Sequence, residues 1–348
     1  MTRGDVKNSN TQTVSPFFQI IFIVLTLAII TGSVYWRLIG FFPIDESPPI
    51  KYFMPEQLSV TSERNTVQVG LFIRDFTKFD ILRNDFVMSA IIWFVFDPET
   101  ISVELLEKFS FENGEIIDRS TPHVRGIGKK IFVYYSIKVH FTSALSYRYF
   151  PVDDHRIYIV LTHEFVNPQE MRFEATVNDF LIRPDLKFIG WVFVNKNVES
   201  GYGESVLNEL DPLKTVKKSK VIFDMGYSRI QMRTVISIVL PLLFIFFLAL
   251  FVFSLDPRKS ASTVLSLSAS SITAMLAYRF VIETMSPNVG YFMMSDYFFF
   301  LFLISIFIIF ILALISTRLS LMYKKIAIIA LHSFVIISSC YLLFIWST

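Results

Sequence analysis

The chain has 348 residues, 53% of them hydrophobic, with 32 Lys and Arg against 30 Asp and Glu for a formal net charge of +2. That apolar share exceeds what one soluble domain of this length buries, while the charged residues still need water, so the chain divides into membrane and aqueous parts. A net charge this small supplies no field for a polynucleotide, and nucleic acid is set aside as a partner.

In chain order, residues 1–40 are a polar leader with Arg3 and Lys7 followed by an apolar run from Phe17 to Trp36. The segment Phe17 to Ile30 is short enough for a signal-peptide core, and Thr31-Gly32-Ser33 would serve as a cleavage site. Val34-Tyr35-Trp36 instead suits the interface end of a retained anchor helix. Both alternatives stand, and both export the residues beyond Gly40.

Residues 41–230 carry short β-rich runs: Thr66 to Ile73, Phe86 to Phe96, Ile131 to Phe141, Ile157 to Phe165, Phe188 to Val194 and Lys220 to Tyr227. Lys78 to Asp85 reads as a turn between the first two, and the only helical signal is a turn near Val103 to Lys108. The pattern predicts an exported antiparallel β-sandwich. Cys340 is the only cysteine, so no intramolecular disulfide forms. Zinc-type spacing, Gly-rich phosphate loops and G-x-S-x-G are missing, and His163-Glu164 lacks the second His of a metalloprotease helix. No metal, cofactor or enzymatic activity is expected.

Residues 231–348 hold four more runs near the roughly 20 apolar residues that cross a bilayer as a helix: Thr234 to Leu255, Ser260 to Thr284, Tyr297 to Ser316 and Ile326 to Trp346. Arg258 and Lys259 in loop 256–260, and Arg318, Lys324 and Lys325 in loop 317–326, make those connections cytoplasmic. The chain is then a multi-pass protein of the cell (inner) membrane, with residues 41–230 and the C-terminus extracellular or periplasmic.

The run from Ser260 to Thr284 is unlike the others. Ser262, Ser266, Ser270, Thr273, Ala277, Phe280 and Glu283 recur at helical spacing on one face, hydroxylic below and aromatic to acidic above. Leu265, Leu267, Ile272, Leu276 and Val281 lie mainly off that face and suit packing against neighbouring helices. A continuous hydroxyl row points to water, hence to a pore-lining helix. Glu283 would form an acidic ring favouring cations at the outer mouth, with Phe280 or Thr273 as a constriction. At the other end Arg258 and Lys259 offset Asp256.

The order of one β-rich domain and four helices, the second striped with hydroxyls, resembles the pentameric ligand-gated ion channels, or Cys-loop receptors, from about Asn65 to Trp346. Phe150-Pro151-Val152-Asp153 is similar to that family's F-P-x-D turn. Arg229 matches its Arg at the end of the last strand, Pro241 its first-helix proline, and Pro287-Asn288-Val289-Gly290-Tyr291 its P-x-x-x-Y linker. Asp80 occupies the matching β1-β2 turn. The resemblance implies a homopentamer in membrane lipid that passes inorganic ions when a small ligand or a proton acts on the exported domain. It implies coupling through Asp80, Phe150, Pro151, Asp153, Arg229, Pro241, Pro287 and Tyr291. It places a ligand pocket at His163, Glu164 and Phe165 and at Tyr202 in the loop before the last strand. The Pro turn lacks flanking cysteines and the loop joining the last two helices is short, as in bacterial members. His155 stands where many members carry Gln, and the stretch from Phe96 to Ile131 has no W-x-P. The competing reading is a non-conducting membrane-anchored sensor or assembly protein that kept this architecture.

Overall fold

The computed structural model describes residues 13–52, 65–209, 211, 214–229 and 232–345. Arg3 and Lys7 of the leader and Trp346 at the end of the last run lie outside the described residues. The chain divides into two compact units, one of Met1–Gly40, Tyr147–Asp153 and Gln231–Thr348, the other of Phe41–Ser146 and Asp154–Ile230.

The second unit is β-rich. Its strands are β1 (Thr66–Asp80), β2 (Asp85–Phe96), β3 (Phe109–Glu112), β4 (Gly114–Arg119), β5 (His123–Ile127), β6 (Lys130–Phe141), β7 (His155–His163), β8 (Arg172–Glu174), β9 (Phe180–Ile182), β10 (Trp191–Val206) and β11 (Thr215–Arg229). They form an eleven-stranded, barrel-like sheet ordered β10-β11-β7-β3-β4-β6-β2-β1-β8, with β5 on β6 and β9 on β1. The expected sandwich is therefore one continuous path, because the short β3 and β4 carry the sheet from β7 across to β6. Strands β8 and β9 pair with β1 in parallel, against the antiparallel expectation.

Strand β2 alternates strictly between buried and half-buried positions, with Phe86, Met88, Ala90, Ile92, Phe94 and Phe96 facing the core. Period-two alternation is what a strand needs to cover one side of a core. Strand β1 runs on through Lys78 to Asp80, past the expected turn start, because register shifts at Ile73/Asp75 and Phe76/Lys78 absorb the irregular stretch. The turn itself is closed by Asn84, whose positive φ of 53° Asn tolerates well. Strand β7 is buried at every position but Arg156, and β11 is buried throughout Ser219 to Tyr227. These strands are covered on both faces.

The first unit is helical: α1 (Pro16–Ile39), α3 (Met232–Leu250), α4 (Ala261–Met285), α5 (Met294–Leu314) and α6 (Leu321–Cys340), with the one-turn α2 (Val103–Leu106) belonging to the β-rich unit. Among the described residues five helices are long and apolar enough to cross a membrane, and the chain is a membrane-associated protein. Within α3, Pro241 lacks the N–H that would reach the carbonyl of Ser237 one turn back. Tyr278 of α4 donates its hydroxyl to that carbonyl, so the proline also specifies how the two helices meet.

Candidate functional site

Helix α4 has two opposed stripes. Val264, Ser268, Ser271, Met275 and Ile282 are buried against its own chain. Ser262, Ser266, Ser270, Thr273, Ala277, Phe280 and Glu283 are all exposed, Phe280 by 71%. At roughly 100° per residue the centres of the two stripes lie on opposite sides of the helix.

The hydroxyls differ in the same way. On the buried side Ser268 Oγ donates to the Val264 carbonyl at 3.0 Å and Ser271 Oγ to the Leu267 carbonyl at 2.9 Å. Such back-bonding is how a serine is satisfied inside a membrane helix. On the exposed side Thr273 Oγ1 reaches the Ala269 carbonyl at 3.3 Å, while Ser262, Ser266 and Ser270 make no such bond among the described residues. Small side chains leave a shallow hollow of about 470 Å³ there, lined by Ser266, Ala269, Ser270, Thr273, Ala274 and Ala277.

The expected packing residues divide. Leu267 joins a cluster of Val252, Val264 and Ala313, whereas Leu265, Leu276 and Val281 are 38%, 49% and 43% exposed. They flank the hydroxyl face, so within one chain they have no helix to pack on.

Near the end of α4, Glu283 is not a bare acid. Arg279 Nε donates to Glu283 Oε1 at 2.9 Å, and its guanidinium also binds Asp296, a buried carboxylate at the start of α5. Arg279 further lies over the Phe299 ring at 5.4 Å. Spacing alone could have found this partner, since Arg279 and Glu283 stand one helical turn apart. A half-open cavity of about 540 Å³ at this end is lined by Arg279, Glu283, Asp296 and the linker residues Ser286 to Met293, including Pro287 and Tyr291.

The turn around Phe150 and Pro151 is built into the helical unit. Leading N–H groups of a helix lack intrahelical acceptors. In α5, Met294 N–H donates to the Arg148 carbonyl at 2.8 Å and Ser295 N–H to the Phe150 carbonyl at 3.0 Å. Met293 N–H goes to Asp296 Oδ2 at 2.7 Å. The Tyr291 hydroxyl accepts from Tyr147 N–H at 2.9 Å, and Arg148 lies 5.9 Å from the centre of the Tyr291 ring. Phe150, Pro151, Val152 and Asp153 are all buried, and the Phe150–Pro151 peptide is cis.

In the β-rich unit, Asp80 accepts from Arg83 N–H at 3.1 Å and so closes its own turn. Arg229 is buried with its guanidinium 4.3 Å from the centre of the Trp191 ring. Asp154 accepts from Phe42 N–H at 2.8 Å, Ser228 Oγ at 2.8 Å and Arg229 N–H at 3.2 Å. Neither Trp191 nor Asp154 stood out in the sequence.

The expected ligand residues fall in two places, His163, Glu164 and Phe165 at the end of β7 and Tyr202 within β10. His163 is wholly buried; Nε2 donates to the Leu105 carbonyl at 2.8 Å and Nδ1 accepts from Phe165 N–H at 3.4 Å. Burial pushes its imidazole below the ordinary value. Both nitrogens are thus engaged in holding α2 and the strand end, and the ring stands edge to face with Phe165 at 6.3 Å. Glu164 sits 3.9 Å from Lys218. Phe165 is 71% exposed under Lys108 and lines a surface hollow with Lys108, Ile117 and Arg119 that includes neither His163 nor Tyr202. Tyr202 lies inside β10, paired with Ser219, and not in a loop.

A second aromatic group escaped sequence reading. His123 stacks on Tyr134 at 4.7 Å, and Phe132 bridges Tyr134 and Trp93 at 5.8 and 6.0 Å across β5, β6 and β2. Its sequence signal is the spacing of Phe132 and Tyr134 on one face of β6.

No protein-family model matches the chain, and no curated protein matches it.

Proposed function

We propose that the chain is one subunit of a homopentameric ligand-gated ion channel of the prokaryotic type, with α4 lining the pore and the β-rich unit receiving the stimulus outside the cell membrane. The single observation that carries this reading is the exposed row of Ser262, Ser266 and Ser270, opposite the stripe by which α4 packs on its own chain. Hydroxyls left without partners in hydrocarbon are costly. Five copies around an axis would give them water, and α3, α5 and α6 would form the rest of a four-helix pore domain. Loops 256–260 and 317–326 then face the cytoplasm.

At the outer mouth Arg279, Glu283 and Asp296 sum to one net negative charge per subunit (+1 −1 −1). A ring of such charge favours cations, and a ring of Phe280 closes a pore by dewetting. The stimulus acts by binding the open form better than the closed one. Asp80 and Arg229 on the β side, and Asp153, Pro287 and Tyr291 on the helical side, are the residues assigned to coupling. The chain itself passes between the units at 40–41, 146–147, 153–154 and 230–231.

The test is reconstitution in a planar bilayer with Ser266→Cys or Thr273→Cys in a Cys340→Ala background. A water-soluble thiol reagent should block current through either variant and leave Ser268→Cys unaffected. Absence of current under every stimulus, with Ser266→Cys and Thr273→Cys never modified, would leave the non-conducting sensor as the better account.

A further inference from the structure

The first hydrophobic helix could be a leader that is removed or a part of the finished protein, and its packing separates the two. Gln19, Thr26, Ile30, Val34 and Arg37 form one buried stripe along α1. Two polar members of that stripe make hydrogen bonds to other helices. Gln19 Nε2 donates to the Leu250 carbonyl at 3.0 Å, and Thr26 Oγ1 shares a hydrogen bond of 2.7 Å with His332 Nδ1 on α6. The His332 ring is enclosed by Phe22, Phe246 and Phe247 at 5.7, 5.7 and 6.1 Å. At the far end the Arg37 guanidinium lies 5.7 Å from the centre of the Tyr149 ring. A signal-peptide core needs only apolar length. The buried hydrogen bonds of Gln19 and Thr26 to α3 and α6 suit a helix that stays, since removing one partner strands the other.

The chain leaving α1 is equally engaged. In the β-rich unit Phe41 lies over Arg156 at 5.5 Å, and the buried carboxylate of Asp45 accepts from Ser146 N–H at 2.7 Å, Arg156 N–H at 2.6 Å and His155 Nδ1 at 3.1 Å. Pro49 offers its carbonyl to Lys220 Nζ at 3.3 Å, and Ile50 packs on Tyr158, Val160 and Ile222. Here is the second cover that makes β7 and β11 buried on both faces. Lys51 then pairs with Tyr202 on the outer edge of β10, each N–H donating to the other's carbonyl at 2.9 Å. Tyr52 donates to Glu199 at 2.7 Å, and Lys51 Nζ pairs with Glu204. Two glycines admit this segment: a Cβ at Gly201 would stand 2.3 Å from the Lys51 carbonyl oxygen, and one at Gly226 would stand 2.8 Å from the Phe41 ring.

We propose that α1 is a retained membrane helix and that its continuation, Phe41 to Tyr52, is a strap that pins the β10–β11 hairpin, so that the hairpin is tethered to the membrane through the chain itself. The strap occupies the open edge of β10, the position at which a free strand invites a foreign one. A stimulus that displaced Tyr202 would have to displace Lys51 and draw on α1. That last consequence rests on the channel reading; retention of α1 and the strap do not.

Three measurements decide it. Mass spectrometry of protein extracted from membranes should find the residues of α1 still joined to the β-rich unit; a species lacking the residues up to Ser33 overturns retention. Lys51→Cys with Tyr202→Cys, in a Cys340→Ala background, should oxidise to a disulfide, because hydrogen-bonded antiparallel partners stand about 5.5 Å apart at Cα. Failure to cross-link overturns the strap. The Tyr202 amide, whose acceptor is Lys51, should be protected from hydrogen exchange and should exchange roughly tenfold faster in Asp45→Ala or, more mildly, in Tyr52→Phe. Equal protection in wild type and both variants shows that the strap does not hold the hairpin. In the bilayer, the cross-linked variant should lose stimulated current and regain it on reduction. If wild type conducts and the locked form conducts equally, the tether plays no part in gating; if wild type never conducts, the channel reading fails while mass, cross-linking and exchange still judge the strap.

Discussion

Helices α4 and α5 are consecutive in the chain and are both long enough to cross a membrane, yet they present opposite surfaces. What α5 leaves exposed is apolar, with Phe300, Ile304, Phe307, Ile308, Ile311 and Leu314 outward, and its buried side holds Phe298, Phe302, Ile306 and Ile309. Helix α4 exposes hydroxyls and alanines in its middle and is the least apolar of the five. The surface a helix turns away from its own chain bears on its surroundings: lipid suits α5, whereas the hydroxyl-lined middle of α4 is better matched by water or another polar surface.

That contrast can be broken at several points. The largest effect is expected where the two helices are joined by charge. Arg279→Ala leaves Asp296 buried beside an empty position, a loss of about 3–5 kcal/mol. Thermal unfolding in detergent would register it, and Arg279→Lys should recover part of it; an unchanged melting temperature would mean the two helices are not held together by this contact. Tyr278→Phe is next. It strands the Ser237 carbonyl that Pro241 left without an intrahelical donor, at a cost of about 1–3 kcal/mol.

The β-rich unit supplies a pH-dependent control that should spare the helices. Because His163 titrates below its ordinary value of about 6.5, its contribution to stability is complete above that pH and declines as the pH falls from there toward the folded value, as the unfolded chain takes the proton first. The slope is at most about 1.4 kcal/mol per pH unit. Urea unfolding of the β-rich unit monitored between pH 7 and 5, with the range chosen around that ordinary value, should show the decline, and His163→Gln should flatten it. Smallest of all is Ser270→Leu, which makes the exposed face of α4 resemble that of α5. It should change the stability of the isolated subunit by under about 0.5 kcal/mol, yet abolish conduction in a bilayer. A fully conducting Ser270→Leu channel would remove the distinction between the two helices.

The α4 stripe was legible because a helix repeats its faces every three or four residues, so Ser262 through Glu283 announce themselves by spacing alone. Arg279 was legible by the same rule, four residues before Glu283, but a count of charges at the helix ends passes over it. The strap was not legible. Phe41 to Tyr52 holds Pro43, Pro48 and Pro49 and has no period, and its partners, from Ser146 to Gly226, lie far along the chain. Tyr202 was misplaced for a related reason. Its neighbours Gly201 and Gly203 look like loop punctuation, whereas Gly201 is small so that another segment's backbone can come close. Strands β3, β4, β5, β8 and β9 are too short or too exposed to show alternation, and it is β3 and β4 that close the sheet path.

The carbonyls of Arg148 and Phe150 that cap α5 have a practical consequence for anyone taking the protein apart. A stretch lying between two strands of the β-rich unit completes the end of a membrane helix, so the sequence boundary near residue 230 is not a place where the protein can be cut cleanly. A fragment spanning 41–230 would carry Phe150 and Val152, now buried, with nothing to cover them, and should associate through them. A hybrid that exchanges only the helices would leave α5 facing a foreign turn. The transferable part is the helical unit together with Tyr147–Asp153, and grafting that turn along with the helices is the way to make such hybrids assemble.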